Sequence, residues 1–254
     1  MYNRRRLNLL RELVISQHKL KDQSTVLGLV WSFLHPLLYL LVLFIFFHTR
    51  MGGEIEHYAI YLLIGLIHYT HLSNTTGSAL KILRSRRELT AEALFPKELL
   101  VFSTVIGISL EFVVSMAICL GFAVAAGVSP SWAWLWTPVV MALQLVLVTW
   151  IGLVLAALYA FAWDVDHIYQ VLLRILFFAT PIFYDVSFLG DGLARQVVLL
   201  NPLVHLLDLA RGVILGGTAP PLWTLSGFLA ANLVLAVIAL RFFRRLEPRF
   251  AENV

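Results

Sequence analysis

The chain has 254 residues, of which 60% are hydrophobic and 13% are charged, and its formal net charge is +4. Soluble domains average about 45–50% apolar and about 25% charged residues, so this composition excludes an ordinary soluble protein. One transmembrane helix takes about 20 mostly apolar residues, which leaves room for roughly six helices with short loops and for no sizeable soluble domain. The composition therefore predicts an all-α integral membrane protein.

Residues 1–26 mix apolar and basic side chains at the spacing of a helix with one apolar stripe. The apolar positions include Leu7, Leu10 and Val14, and the basic residues are Arg4, Arg5, Arg6, Arg11, Lys19 and Lys21. Such a segment suits the surface of an anionic leaflet, so we predict an amphipathic interface helix. It lacks the long apolar run of a cleavable signal peptide.

Six apolar stretches with short polar breaks follow this segment. They predict transmembrane helices over residues 27–47, 58–80, 99–126, 132–161, 168–184 and 222–240. Pro36 predicts a kink in the first span, because proline removes a backbone hydrogen bond. Residues 186–220 are too polar and too rich in Gly and Pro for a clean span. We predict two short re-entrant helices there, the second starting after Asn201-Pro202.

A charged segment, residues 81–98, separates the second and third spans. Its basic residues are Lys81, Arg84, Arg86, Arg87 and Lys97, and such residues accumulate in cytoplasmic loops. Thr90 is placed to cap a short helix that Pro96 ends. A short helix between two spans suits contact with a soluble partner. The pattern alone leaves open a plain connector that anchors the spans electrostatically.

The distribution of Lys and Arg sets the orientation. With both termini inside, the N-terminal segment, the charged segment and the C-terminal end hold fifteen of the nineteen Lys and Arg residues. Arg50, Arg195 and Arg211 lie outside, and Arg174 lies within the fifth span. This asymmetry predicts six spans with both termini in the cytoplasm.

The sequence lacks the residues that several kinds of functional site require. No Lys follows a Gly, so the phosphate-binding loop of nucleotide-binding proteins is absent and any energy from ATP must come from elsewhere. His68 and His71 are three residues apart but have no carboxylate or Cys nearby, so we predict neither a metal nor a cofactor. Glu111 and Arg174 fall inside spans, where they either pair with each other or face an aqueous path. A chain of such groups for a proton relay is missing.

Aromatic side chains in the first two spans are candidates to bind a transported molecule. Flat rings with a polar edge can stack on sugars and offer hydrogen bonds. The candidates to line a path are Trp31, Tyr39, Phe46, Tyr61 and Tyr69. Packing and contact with lipid are the alternative role for each of them.

Five sequence blocks resemble one family. They are Leu27-Gly-Leu-Val-Trp-Ser-Phe-Leu-His-Pro-Leu-Leu, Tyr61-Leu-Leu-Ile-Gly-Leu, Leu94-Phe-Pro-Lys-Glu, Phe178-Ala-Thr-Pro-Ile-Phe-Tyr and Asn201-Pro-Leu-Val-His-Leu-Leu-Asp-Leu-Ala-Arg. In this order they resemble the membrane subunit of type-2 ABC exporters. The most similar branch comprises permeases that export O-antigen polysaccharide, teichoic acid or capsule on a lipid anchor. One departure is Trp163-Asp164, where the family often has Arg-Asp.

The resemblance implies a permease subunit, not an enzyme, in a bacterial inner membrane. Two copies would pair, and each would bind a separate nucleotide-binding subunit that hydrolyses ATP; no nucleic acid partner is expected. The implied coupling residues are Thr90, Glu92, Leu94, Phe95 and Pro96. A lipid-linked polysaccharide would pass along the dimer axis between the first and fifth spans, and the re-entrant helices would form the outer gate region.

Basic residues near the cytoplasmic face are candidates to bind the lipid head group of the cargo. They are Arg4, Arg5, Arg6 and Lys97. Anchoring of the interface helix to membrane lipids is the alternative role.

Two other functions remain open at this stage. A type-2 exporter of drugs or small lipids would share the same spans and coupling segment. An integral membrane acyl- or glycosyltransferase would need a compact polar cluster, and Asp164, Asp166 and His167 offer one. A helix start explains the two aspartates equally well.

Overall fold

The computed structural model describes residues 8–16, 30–51, 55–93 and 95–253, and within these ranges it is helical, with no β-strand. The predicted sites at Arg4, Arg5, Arg6 and Leu94 lie outside the described residues. Trp31 lies in a described helix, but its side chain is also outside the described part of the chain.

The helices follow one another with short connections. We label them α1 (residues 8–16), α2 (Val30–Met51), α3 (Tyr58–Ser85), α4 (Arg87–Ala91), α5 (Glu98–Ala125), α6 (Thr137–Phe161), α7 (Asp164–Ala179), α8 (Leu193–Leu199), α9 (Pro202–Ile214), α10 (Leu222–Leu246) and α11 (Phe250–Asn253). Single 3₁₀ turns at Trp132–Trp136, Val186–Leu189 and Glu247–Arg249 join some of them.

Several helices are apolar enough to cross a bilayer. Among the described residues, length and composition single out Glu98–Ala125, Trp132–Phe161 and Leu222–Asn253. Helices α8 and α9 would count as a fourth span if taken together, but they are bent by 80° at their junction. As predicted, two short helices occupy this region and the second begins at Pro202, where the Asn201 side chain accepts a hydrogen bond from the Leu203 N–H.

Helix α3 is the centre of the bundle, in contact with α2, α5, α6, α7 and α9. Its contact with α6 depends on small residues. A Cβ at Gly152 would lie 2.9 Å from the Ala79 Cβ, and Ala156 and Ala160 continue the buried face of α6 at four-residue spacing. Small side chains let two helix backbones approach closely, which is how helices associate in lipid.

Polar contacts gather at the two ends of the bundle. At one end, Lys81 of α3 forms an ion pair with Asp166 of α7 at 2.8 Å, and Arg244 of α10 pairs with Glu98 of α5 at 3.0 Å. At the other end, the Trp134 Nε1–H donates to the Ile214 carbonyl at 3.0 Å. Helix α3 therefore runs antiparallel to α7, and α5 runs antiparallel to α10.

Several helix boundaries differ from the sequence predictions, and two of these differences have a local cause. The fifth predicted span ran to residue 184, whereas α7 ends at Ala179, because Pro181 cannot continue a helix and restricts the residue before it. The short helix predicted to start after Thr90 instead covers Arg87–Ala91 and includes it. Thr90 is therefore not an N-cap: its hydroxyl is buried and contacts the Leu83 and Arg86 carbonyls at 2.7 and 3.0 Å.

Candidate functional site

A cavity of about 340 Å³ opens between α2, α3 and α7. Helix α3 supplies one wall from positions that share a helix face, at intervals of three and four residues: Leu66, Tyr69, Thr70, Ser73 and Asn74. Tyr39 of α2 and Arg174, Phe177 and Phe178 of α7 complete the lining. The cavity thus combines aromatic rings, hydroxyl and amide groups and one guanidinium.

The aromatic side of this cavity is held in place by specific contacts. The Tyr69 hydroxyl donates to the Leu173 carbonyl of α7 at 2.6 Å, and its ring meets Phe177 edge to face at 5.0 Å. Phe177 packs in the same geometry against Phe178 at 5.4 Å. Edge-to-face pairs at this separation are favourable. Tyr69 therefore presents a fixed ring to the cavity.

The structure separates four of the five predicted path-lining aromatics, since the Trp31 side chain is not described. Tyr39 and Tyr69 line the cavity. Phe46 is 71% exposed on α2. Tyr61 is buried, and its hydroxyl donates to the Tyr184 carbonyl at 2.9 Å. Tyr61 is thus packed inside the bundle and is absent from the cavity lining.

Pattern reading missed the polar wall of the cavity. Ser73 and Asn74 lie within a run of Thr and Ser residues in the second span, and that polar run inside an apolar segment was a usable signal. Phe177 and Phe178 could not have been selected from the many aromatic residues, because only the packing of α7 on α3 brings them to the cavity.

A second, much smaller cavity of about 30 Å³ lies on the other side of α3. It shares Thr70 and Asn74 with the first cavity and adds His71, Glu111 and Ser115. This volume suits a single water molecule. Glu111 and Arg174, considered as a possible ion pair, therefore line separate cavities on either side of Thr70 and Asn74.

His68 and His71 belong to a hydrogen-bond network that joins three helices. Gln144 of α6 contacts the His68 Nδ1 through its amide oxygen, and its amide nitrogen donates to the His68 carbonyl at 2.8 Å and to the His71 Nδ1 at 3.0 Å. The His71 Nε2 then donates to the Ser109 hydroxyl of α5 at 3.0 Å. Buried polar groups need such partners, and here they link the helices.

Arg211 of α9 fixes the segment that follows α7. Its guanidinium donates to the Pro181 and Ile182 carbonyls at 2.8 and 3.0 Å and lies 3.4 Å from the centre of the Tyr61 ring. Gly65 makes room for it, since a Cβ there would lie 3.0 Å from the Arg211 Nη2. The predicted outer gate region is thereby attached to α3.

The predicted coupling residues lie in and after α4. Thr90 is buried, Glu92 is exposed, and Phe95 and Pro96 are half-buried. The Lys97 N–H donates to the Glu247 carboxylate at 3.0 Å, and the Lys97 ammonium lies 3.5 Å from the Glu92 carbonyl. Lys97 is only 5% exposed, so its ammonium would have to leave that carbonyl to reach a lipid head group.

The C-terminal end of α3 contacts α6 and α7 through hydrogen bonds and an ion pair. The Arg84 guanidinium donates to the Tyr159 and Ala160 carbonyls at 3.0 and 2.9 Å and stacks 4.0 Å from the Trp163 ring. The Asp166 carboxylate forms an ion pair with the Lys81 ammonium at 2.8 Å. The cluster considered for catalysis thus contributes Asp166 to a contact between helices.

The chain matches the family model described as ABC-2 type transporter over residues 9–215. It is similar to the O-antigen export system permease protein RfbA of Myxococcus xanthus, with 31% identity over 247 residues that cover 97% of this chain and 95% of the relative. Two Klebsiella pneumoniae proteins of the same name are 23% identical over 235 residues, which cover 92% of this chain and 90% of each relative.

These comparisons confirm the family resemblance seen in the five sequence blocks. They contradict the acyl- or glycosyltransferase alternative, because the matched family and the relatives are transporter proteins. An ABC-2 permease works with an ABC ATPase, which fits a chain that lacks a phosphate-binding loop. The chain belongs to the ABC-2 type transporter family, as a membrane permease subunit.

Proposed function

We propose that this permease exports a lipid-linked, O-antigen-like polysaccharide across the bacterial inner membrane. The name shared by the three relatives supports this substrate, and the similarity extends over nearly the whole chain. The observation that carries the proposal is the cavity between α2 and α7, which offers the Tyr39 and Tyr69 rings beside Ser73 and Asn74. Rings and amides together suit a sugar polymer, which stacks and hydrogen bonds at once.

Two copies of the chain form the conduit in this proposal. Helices α2 and α7 carry many exposed apolar side chains, including Phe46, Ile168, Val171 and Ile175. Large exposed apolar faces occur where a protein meets lipid or another protein. A second copy placed against α2 and α7 would enclose the cavity along the dimer axis.

Six spans, α2, α3, α5, α6, α7 and α10, and cytoplasmic termini complete the topology of the proposal. The contacts at one end of the bundle support it, since most of the basic residues of the described chain lie there. They are Lys81, Arg84, Arg86, Arg87, Lys97, Arg241, Arg244, Arg245 and Arg249. By the positive-inside rule that end faces the cytoplasm.

The ABC ATPase binds this cytoplasmic end. Glu92, Leu94, Phe95 and Pro96 transmit the motion of the ATPase, and Thr90 holds α4 in place through its bonds to the Leu83 and Arg86 carbonyls. Arg4, Arg5 and Arg6 stay candidates to bind the lipid head group of the cargo at the membrane surface.

Reconstitution in vesicles tests the proposal. The permease is co-purified with its ATPase and supplied with a lipid-linked glycan on one side. We expect ATP-dependent appearance of glycan on the other side. Transport of a hydrophobic drug or a short lipid, with no glycan transport, would contradict the proposal and favour the small-molecule alternative.

A second measurement in the same vesicles tests the coupling segment. Glu92→Ala and Phe95→Ala should keep the complex and its ATP hydrolysis but lose glycan transport. Arg245→Gln, which changes an exposed residue at the same end of the bundle outside that segment, is the control. Normal transport by both coupling variants would remove these residues from the mechanism.

A further inference from the structure

We propose that Arg174 forms a binding site for an oxyanion of the transported molecule, inside the cavity between α2, α3 and α7. This inference rests on the proposed export function and names a chemical group that the cargo presents. The argument depends on the depth of Arg174, on its lack of a partner in this protomer and on its neighbours.

Arg174 lies deep in a helix that the proposal places in the membrane. It follows Asp164, the first residue of α7, by ten positions, which is about 15 Å along a helix of about 24 Å. A charged side chain at such a depth is costly unless it faces an aqueous path or a partner. The cavity beside Arg174 provides the path.

Three other arginines in the described chain are held by partners, whereas Arg174 is not. Arg84 binds two carbonyls and two rings, Arg211 binds three carbonyls and a ring, and Arg244 pairs with Glu98. Within the described residues, the Arg174 guanidinium has no hydrogen bond and no ion pair, and it is exposed to the cavity. All its donors are therefore available to a ligand.

The neighbours of Arg174 favour an anion. Asn74, Ser73 and Thr70 line the same cavity and can donate hydrogen bonds, and the described lining contains no carboxylate to compete. A guanidinium binds phosphate or carboxylate oxygens through two parallel N–H groups, which gives geometry as well as charge. The rings of Tyr69 and Phe177 line the same cavity beside these donors.

Two parts of a lipid-linked glycan carry suitable oxyanions. One is the diphosphate that joins the sugar to its lipid, and the other is the carboxylate of an acidic sugar. Both present oxygens that a guanidinium can bind in the same way. The experiment below separates these two sources.

The experiment measures binding to the permease–ATPase complex in lipid nanodiscs. The probes are a polyprenyl diphosphate without sugar, the corresponding neutral polyprenol and a uronic acid oligosaccharide. Arg174→Gln removes the charge, Arg174→Lys keeps it without the planar fork, and Arg245→Gln removes a charge at the surface as the control. A hydrogen bond to a charged group is worth about 1.5–3 kcal/mol, so we expect Arg174→Gln to weaken binding of an anionic probe about tenfold or more.

The pattern of binding decides between the sources and can overturn the inference. Weakened binding of the diphosphate alone assigns the site to the lipid linkage, and weakened binding of the uronate alone assigns it to the sugar. Arg174→Lys should bind the anionic probe with an affinity between those of the wild type and Arg174→Gln. Binding of the neutral polyprenol should be the same in all variants. Wild-type affinity of Arg174→Gln for both anionic probes overturns the inference. The inference is also overturned if Arg174→Gln loses binding because the two permease copies separate. Cross-linking of the two copies measures that separation.

Failure of the inference is distinct from failure of the proposed function. Glycan transport in vesicles with binding that is independent of Arg174 removes the anion site and keeps the exporter. Binding that depends on Arg174, without glycan transport by the wild type, keeps the site and removes the proposed cargo.

Discussion

Arg211 shows how a single residue can hold a non-helical segment inside the bundle. Its guanidinium reaches the Pro181 and Ile182 carbonyls and, at 3.3 Å, the Tyr61 carbonyl. The Pro181 and Ile182 carbonyls follow the end of α7, where the guanidinium supplies donors to acceptors that would otherwise lack a partner in lipid. The Tyr61 carbonyl, in the first turn of α3, is an additional acceptor. The site exists only because Gly65 leaves the volume that the guanidinium fills.

Replacing Gly65 by alanine should destabilise the permease. The new Cβ would lie 3.0 Å from the Arg211 Nη2 and 3.1 Å from the Ile182 Cγ2, so the guanidinium must shift from its carbonyls. We expect a loss of about 1–3 kcal/mol of unfolding free energy, as for other overpacked sites. Thermal unfolding in detergent measures it.

Gly77→Ala is the matched control on the same helix. Its Cβ would meet nothing within 4 Å, and alanine favours a helix over glycine by about 1 kcal/mol. It should therefore unfold at the same temperature or higher. Equal unfolding temperatures of Gly65→Ala and Gly77→Ala would show that the space at Gly65 has no structural role.

The role of His68 and His71 could not be predicted from the sequence. The spacing of His68 and His71 was visible, and so was the lack of further metal ligands. Their partner Gln144 is 76 residues away from His68 and becomes a neighbour only when α6 packs on α3. A contact of that kind leaves no local pattern, so the role of each histidine could not be predicted.

At the scale of elements, the C-terminal end of α3 contacts the C-terminal end of α6 and the N-terminal end of α7. Arg84 caps two free carbonyls at the C-terminus of α6, where a cation also complements the helix dipole. Lys81 reaches the first turn of α7 through Asp166, where a carboxylate complements the opposite end of the dipole. Three helices therefore meet at two basic residues.

Arg84→Ala should loosen this junction. It removes two charged hydrogen bonds and the stacking on Trp163, which together suggest a cost of about 1–3 kcal/mol in unfolding free energy. Arg87→Ala, an exposed residue of α4, should change stability by less than about 0.5 kcal/mol. A chemical denaturation series on both variants measures the difference. If Arg84→Ala unfolds like Arg87→Ala, the junction does not depend on Arg84.

The elements were predicted better than their ends. The apolar stretches gave the long helices because period and length are local properties of the sequence. The end of α7 was misplaced by following apolar residues past Pro181, although the proline itself was the better signal. Thr90 has the side chain of a helix cap, yet burial against the Leu83 carbonyl decides its place inside α4.

At the scale of the whole molecule, the proposed topology places Ser85 and Ser129 on opposite sides of the membrane. Both are exposed, in the charged segment and in the turn between α5 and the Trp132–Trp136 turn. Cys119 is the only cysteine in the sequence and is buried, so it adds little background. An impermeant thiol reagent added to intact cells should label Ser129→Cys and leave Ser85→Cys unlabelled until the inner membrane is opened. The reverse pattern would invert the topology.

The fold class and the family were predictable because composition and ordered sequence blocks extend over the chain. The cavity was predictable only in part: Tyr39 and Tyr69 were among the candidates, while Ser73, Asn74 and Phe177 were not. The difference is physical. A cavity is what remains after helices have packed, and its walls are set by crossing angles and side-chain volumes between distant segments.

The link between Lys97 and Glu247 has a consequence for the lipid environment. Helix α10 is joined to the start of α5 by this bond and by the Arg244–Glu98 pair, and α11 packs against α4. Only 17% of the most apolar part of α10 is buried within the chain, so most of that helix face is free to contact acyl chains. A thicker or thinner bilayer tilts such a helix, and these contacts would pass the tilt to the end of the bundle where we propose that the ATPase binds. The ATP hydrolysis rate of the reconstituted complex should therefore vary with acyl chain length.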